Sequence, residues 1–337
     1  MTARFRPRMA ILLALCAGLG LSAPGIATAA SGKQFNTGRE QAALVFQILA
    51  SELALAQGDI GAAAATYLSV ARQTQDPAAA RRATELAIEA RSPQRAEEAA
   101  AIWQRNAPND AEAQSTLDVL QMMVGETEKL TRSLLTRRHQ AAREQKLDAF
   151  YEYLGSLASR APDKSQGLRV FETVSHGDRE KPAVIYTLAM MHEKAGQHQE
   201  MERLLRGLIE RDPRHAHAHN ALGYHLADRN IRLDEARALI ERALALAPDD
   251  AHIIDSMGWV YFRLGNLELA EQYLRKAQRQ QPDAEISSHL GEVLWARGRK
   301  EEAEIVFRAA FSADPRNEVL LDTLKRLGIS PARVHPR

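Results

Sequence analysis

The chain carries one cysteine in 337 residues, Cys16, and it falls within the first thirty. If that segment is removed, the remaining protein has no disulfide and no thiol chemistry. Aromatic residues are scarce, at 5%. No charge of one sign prevails: 44 Lys and Arg stand against 43 Asp and Glu, a formal net charge of +1, with both signs interspersed. A nucleic-acid footprint would need a concentrated basic stripe, so nucleic acid is excluded as a partner. The usual catalytic signatures are missing as well. There is no GxSxG, no P-loop and no HExxH; after His192-Glu193 a glycine, Gly196, stands where the second histidine would have to be. No carboxylate pair stands apart as an acid/base couple. These absences argue against an enzyme, and no cofactor is expected.

Long apolar runs are also lacking, with one partial exception. Arg4, Arg6 and Arg8 precede the uncharged stretch Met9–Leu21, and Ala27-Thr28-Ala29 supplies a small-x-small site. A run of this length is too short for a bilayer, which takes roughly 20 residues. Residues 1–29 therefore read as a signal peptide and the protein as exported to a periplasm, the alternative being an uncleaved anchor. Cys16 follows a leucine, and the apolar run continues past it. That is a poor context for lipid attachment, and membrane contact is expected only if the attachment occurs. Removing the leader takes away three arginines and moves the formal charge from +1 to −2.

What the sequence does have is a repeat of about 34 residues. Segments 216–250, 251–283 and 284–317 align on Leu222-Gly223, Met257-Gly258 and Leu290-Gly291. They align again on Ala236, Ala270 and Ala303, on Ala243, Ala277 and Ala310, and on Pro248, Pro282 and Pro315. Small residues at fixed phases signify stacked helical hairpins. Within 251–283, Ile254, Met257, Tyr261 and Leu264 recur at three and four residues, one face of a helix. Gly265-Asn266 breaks that helix, Leu267, Ala270, Leu274 and Ala277 mark the second, and Pro282 ends it. Gly265 and Gly298 stand where a chain leaving a helix needs positive φ. Gly258 and Ala270 are expected where two helix backbones cross closely, and Ala277 where the hairpin meets the next. The phase continues upstream through 182–215, 148–181, 111–147 (with about three extra residues), 77–110 and 44–76, giving about eight hairpins in an all-α solenoid.

The flanks complete this division. Residues 30–43 read as a flexible lead-in, 44–147 as degenerate repeats and 148–317 as repeats clearest from 216. Residues 318–328 read as a capping helix with Val319, Leu320, Leu321, Leu324 and Leu327 apolar, and 329–337 as a frayed tail. One cluster tests the metal question: His215, His217 and His219. Only residues four apart share a helix face, and zinc wants three or four ligands, so these read as solvated helix-start histidines with His219 packing between repeats. Asp249-Asp250 precede a helix and read as caps.

The Leu-Gly, Ala, Ala, Pro spacing resembles that of tetratricopeptide repeats. The resemblance implies a right-handed superhelix whose first helices line an inner groove. Three C-terminal segments, NALGYHLADRNIRLDEARALIERALALAPDD, IIDSMGWVYFRLG and HLGEVLWARGRKEEA, resemble a narrower group. So does FQILASELALAQGDIGAAAATYLSVARQTQDPAAARRATELAIEA near the N-terminus. That group is the bacterial outer-membrane adaptors that partner a carboxyl-terminal processing protease and bring peptidoglycan hydrolases to it. The resemblance implies a non-enzymatic adaptor for proteins or peptides. It further implies that inward positions of the groove fall on Tyr186, Met190, His217, Asn220, Tyr224, His252, Asp255, Trp259, Phe262, Arg263, Glu292 and Trp295. Five of these are aromatic in a chain with few aromatics, and aromatics and arginine dominate interface energy. Asn220 and Arg263 are candidates to bind a peptide backbone or terminal carboxylate. The competing reading has Tyr224, Trp259 and Phe262 packing between first helices. Trp103, on a second helix, reads as packing. Other functions weighed are a scaffold for secretion or polysaccharide export, and a cell-wall hydrolase or metal-binding protein.

Overall fold

The computed structural model describes residues 38–335, and among them every regular element is helical. The signal peptide, Cys16 and residues 30–37 lie outside the described residues. Two compact units divide between Leu117 and Asp118.

The first unit holds α1 (Gly38–Ala56), α2 (Ile60–Thr74), α3 (Pro77–Glu89), α4 (Pro93–Asn106) and the start of α5 (Ala111–Val124). Asp59 and Asp76 cap α2 and α3 by accepting from Ala62 N and Ala78 N. Alanine dominates the core: Ala71, Ala80, Ala83 and Ala99 are sealed with Leu68 and Trp103. Trp103 donates its Nε1–H to Asp110 at 3.0 Å, a packing role. The helix begins at Gly38, so the lead-in expected up to residue 43 is shorter than its polar composition suggests. Leu44 and Ile48 lie half-buried on α1, one turn and more beyond its exposed first stretch.

The second unit opens with the end of α5, then α6 (Thr127–Arg143), α7 (Leu147–Ser159) and α8 (Lys164–Ser175), followed by a 3₁₀ turn at His176–Asp178. Next come α9 (Pro182–Lys194), α10 (His198–Arg211), α11 (Ala216–Asp228), α12 (Leu233–Leu246), α13 (Ala251–Arg263) and α14 (Leu267–Gln280). The last four are α15 (Ala284–Ala296), α16 (Lys300–Ala313), α17 (Glu318–Arg326) and α18 (Pro331–Val334). Within the units α1 pairs with α2, α3 with α4, and each odd-numbered helix from α7 to α15 with the helix that follows it, so the fold is a TPR-like solenoid. The three extra residues of 111–147 lengthen α6 to 17 residues.

The small residues sit at the crossings. A Cβ added to Gly258 would lie 2.6 Å from Leu274 Cγ and 3.1 Å from the Ala270 carbonyl oxygen. At Gly223 it would lie 2.6 Å from Ile240 Cγ1 and 2.9 Å from the Ala236 carbonyl oxygen; at Gly291 it would overlap the Phe307 ring. Ala236, Ala243, Ala270, Ala277 and Ala303 are fully buried. The interior is close-packed, so bulk at these positions would push the helices apart. Gly265 has φ +81° and ends the first helix of its hairpin, a conformation with little penalty only for glycine.

At the C-terminus, Leu320 and Leu324 of α17 close the core over Ala303, Phe307 and Ala310. Of the segment expected to fray, residues 329–335 are described and do not: Ile329 and Val334 are buried in the same cluster, and Arg333 pairs with Glu304 at 2.6 Å. The apolar residues at 329 and 334 bracket a proline-started turn (Pro331), and their burial outweighs the ordering cost of this short piece. No helix among the described residues is long and apolar enough to cross a membrane.

Candidate partner-binding surface on the first helices

The face formed by α9, α11, α13 and α15 carries all twelve residues singled out in the sequence, but they divide into two kinds. Three are buried and committed within the chain. Trp259 is 2% exposed, its ring stacked 4.3 Å from His289 and tilted against Phe262 at 5.1 Å. Asp255 accepts from His289 Nδ1 at 3.0 and 2.9 Å through its two oxygens. Glu292 accepts from Arg326 Nη1 and Nη2 at 2.6 and 2.9 Å, a bidentate clasp that ties α17 to α15. Arg263 is half-buried and partly engaged. Its guanidinium donates to the carbonyls of Ala227 at 3.0 Å and Asp228 at 2.5 Å, satisfying the open C-terminus of α11. It lies over the Trp259 ring at 5.5 Å. Two of the Arg263 donors, Nε and Nη2, thus complete a helix end.

The others remain accessible. His217 and His252 are exposed, and Tyr186, Met190, Asn220, Tyr224, Phe262 and Trp295 are half-buried. Tyr186 stacks on His215 at 5.5 Å and approaches His217 at 6.4 Å. His252 takes a hydrogen bond from Gln281 at 3.1 Å. Trp295 has Lys300 over its ring at 5.1 Å. Asn220 Oδ1 is buried with no hydrogen-bond partner among the described residues.

The electrostatics concentrate at His289. Burial disfavours its imidazolium, but the adjacent Asp255 charge and hydrogen bond, helped by Glu285 and Glu292, outweigh it and raise the pKa above the usual histidine value. Glu285 is also raised, by burial first and by Asp255 among its neighbours. The Tyr224 hydroxyl lies 3.4 Å from His289 Nε2, and burial holds its pKa well above the ordinary tyrosine value. Tyr224, His289 and Asp255 form a hydrogen-bonded set joining α11, α15 and α13. Sequence inspection of single repeats missed it. The available signal was the period itself: Asp255 and His289 are 34 residues apart, and so are Glu292 and Arg326. Residues one period apart on first helices face one another.

The histidines weighed as metal ligands are engaged otherwise. His215 caps α11 by accepting from Ala218 N at 3.1 Å, and His219, buried between repeats, is 3.2 Å from the Pro213 carbonyl oxygen through Nε2. Asp250 caps α13, accepting from His252 N at 2.9 Å and Ile253 N at 3.2 Å.

Comparison with known proteins places these hairpins. A tetratricopeptide repeat family model matches residues 186–251 and 256–318. The chain is similar to the TPR repeat-containing protein PA4667 of Pseudomonas aeruginosa, 44% identical over 138 residues, which are 40% of this chain and 23% of that protein. It is also similar to human Tetratricopeptide repeat protein 7A, 38% identical over 96 residues, 28% of this chain and 11% of that one. The chain thus spans less than a quarter of the length of these relatives. Among solved structures, a tetratricopeptide repeat protein from Parabacteroides merdae superposes with a TM-score of 0.50 at 17% identity, covering 74% of this chain and 97% of that one; this likeness concerns the fold alone. The fold is thus TPR-like, and the tetratricopeptide repeat model accounts for residues 186–251 and 256–318 of it.

Proposed function

We propose that the protein is a non-enzymatic adaptor of the bacterial cell envelope. In this reading it is exported to the periplasm and holds protein partners on the face of α9, α11, α13 and α15. One observation carries the reading. On that face an accessible row of aromatic and polar side chains, Tyr186, His217, Asn220, Tyr224, His252 and Trp295, overlies a rigid buried layer of Trp259, Asp255 and His289. A surface pre-organised in this way loses little freedom on binding.

The sequence resemblance supplies the partners: a carboxyl-terminal processing protease and the peptidoglycan hydrolases it degrades. Holding both on one scaffold raises their effective concentration to the millimolar range without any catalytic group. Tetratricopeptide repeats bind proteins or peptides. The test is a crosslinking pull-down from the periplasm, with wall-hydrolase levels compared in a deletion strain. The adaptor reading expects the protease to co-purify and the hydrolases to accumulate on deletion. Absence of the protease together with unchanged hydrolase levels would defeat it.

A further inference from the structure

The first helices differ from the second helices in charge. Helices α9, α11, α13 and α15 carry five carboxylates, Glu193, Asp228, Asp255, Glu285 and Glu292, against Lys194 and Arg263. Helices α10, α12, α14 and α16 carry eleven acidic residues and ten basic ones, close to balance. Three of the five first-helix carboxylates are answered within the chain. Asp255 is held by His289 and Glu292 by Arg326, and Glu193 accepts from His225 Nδ1 at 3.2 Å. The carboxylates of Asp228 and Glu285 have no ion pair or hydrogen bond among the described residues.

These two differ in setting. Asp228 is exposed, where water answers its charge, whereas Glu285 is half-buried. Burial first, then Asp255 and Asp283, raise the Glu285 pKa, and the groups favouring its charge are the imidazoles of His289 and His252. His289 is already committed to Asp255. Lys194 has no ion pair among the described residues, but two hairpins lie between α9 and α15. Glu285 is the second residue of α15, the place held by the exposed His217 in α11 and His252 in α13. The helix dipole favours a carboxylate there. It does not call for one that is covered and left without a cation, which costs stability.

Cations already gather on the rings of this face. Both of its tryptophans carry one: Arg263 lies 5.5 Å over Trp259, and Lys300 lies 5.1 Å over Trp295. Besides burial, carboxylates from four helices raise the Tyr224 pKa, Glu285 first, then Asp228, Asp255 and Glu193. The face therefore joins aromatic rings to an unanswered negative charge.

We propose that the partner segment held on this face is basic, and that a lysine or arginine side chain of the partner protein pairs with Glu285. The inference rests on the first-helix face being the partner surface. A long cationic side chain lays its apolar stem along aromatic rings and brings its head to the carboxylate. Complementary potentials of this kind steer encounter and fix register.

Two fluorescent peptides test the charge on the full chain, as processed by the cell: one alternates alanine with lysine, the other alanine with glutamate. Anisotropy is expected to show binding of the lysine peptide alone, weakened by added salt. Glu285→Gln should weaken it about tenfold or more with helical content unchanged, and Glu285→Lys should abolish it. Failure of the lysine peptide to bind, equal binding of both peptides, or equal affinity in the parent and Glu285→Gln would overturn the inference. Photocrosslinking in cells from Tyr186 and Trp295 separates it from the reading it rests on. Adducts lost in Glu285→Lys support a basic partner. Adducts formed equally by the parent and Glu285→Lys keep the face as a partner surface and overturn the basic segment, whereas no adduct from the parent removes both.

Discussion

Two helix-interior glycines give the solenoid its sharpest test, because the same substitution should act with opposite sign at each. Gly207, in α10, faces open space: an added Cβ meets nothing within 4 Å. Replacing it with alanine removes the unfavourable helix propensity of glycine, a gain of about 1 kcal/mol. Gly223, in α11, gains the same amount, but its new methyl would lie 2.6 Å from Ile240 Cγ1, 2.9 Å from the Ala236 carbonyl oxygen and 3.2 Å from Leu239 Cβ. The backbone oxygen cannot yield without moving α12, and overpacking of this kind costs about 1–3 kcal/mol or more. The net expectation for Gly223→Ala is a loss of up to about 2 kcal/mol. In a unit of this size, 1 kcal/mol corresponds to about 2–4 °C in Tm. Thermal unfolding followed by circular dichroism should therefore show Gly207→Ala melting a few degrees above the parent and Gly223→Ala a few degrees below. Two shifts of the same sign would refute the claim that the repeat glycines are kept for close helix crossing.

Other expectations follow from the same contacts. Ala270→Leu places bulk in a fully buried position beside Gly258 and should lower Tm, whereas the exposed Glu268→Gln should leave it unchanged; equal melting would count against the assignment. Trp259→Ala empties a buried site and should cost about 3–5 kcal/mol, read as a lower denaturation midpoint, and a loss of partner binding with stability intact would instead return Trp259 to the binding surface. Because the folded-state pKa of His289 is raised, its pairing with Asp255 adds stability that is complete below about pH 6.5 and declines as pH climbs through the folded value. A Tm measured from pH 6 upward should fall more steeply in the parent than in His289→Asn, and parallel profiles would remove the ion pair from the account. Arg326→Ala leaves the buried Glu292 carboxylate without its cation and should speed amide exchange in α17 and α18 alone; exchange unchanged at Leu324 would contradict the clasp.

The hairpin architecture was legible because its determinants are periodic. Leu222-Gly223, Ala236 and Ala243 mark a crossing, and the same marks recur a period later at Met257-Gly258, Ala270 and Ala277. The termini were misread for the opposite reason. Helix α1 begins in a polar stretch, and α18 is a single turn held by Ile329 and Val334, so neither has a period to show. On the candidate surface, phase alone placed residues on the first-helix face but did not separate those open to solvent from those covered by the next repeat. Asp255, Trp259 and Glu292 have groove phase, yet His289, Phe262 and Arg326 lie against them. Arg263 shows a second limit. A long side chain near a helix end reaches back to a neighbouring helix terminus, here the carbonyls of Ala227 and Asp228, and no single-repeat reading contains that partner.

The central claim, that partners are held on the first-helix face, is tested most directly by site-specific photocrosslinking in living cells. A photoreactive residue is placed at Tyr186, His252 or Trp295 and, for comparison, at the exposed second-helix positions Glu241 and Arg279. The account predicts protein adducts at the first three positions and none at the last two. Adducts confined to Glu241 and Arg279 would contradict it.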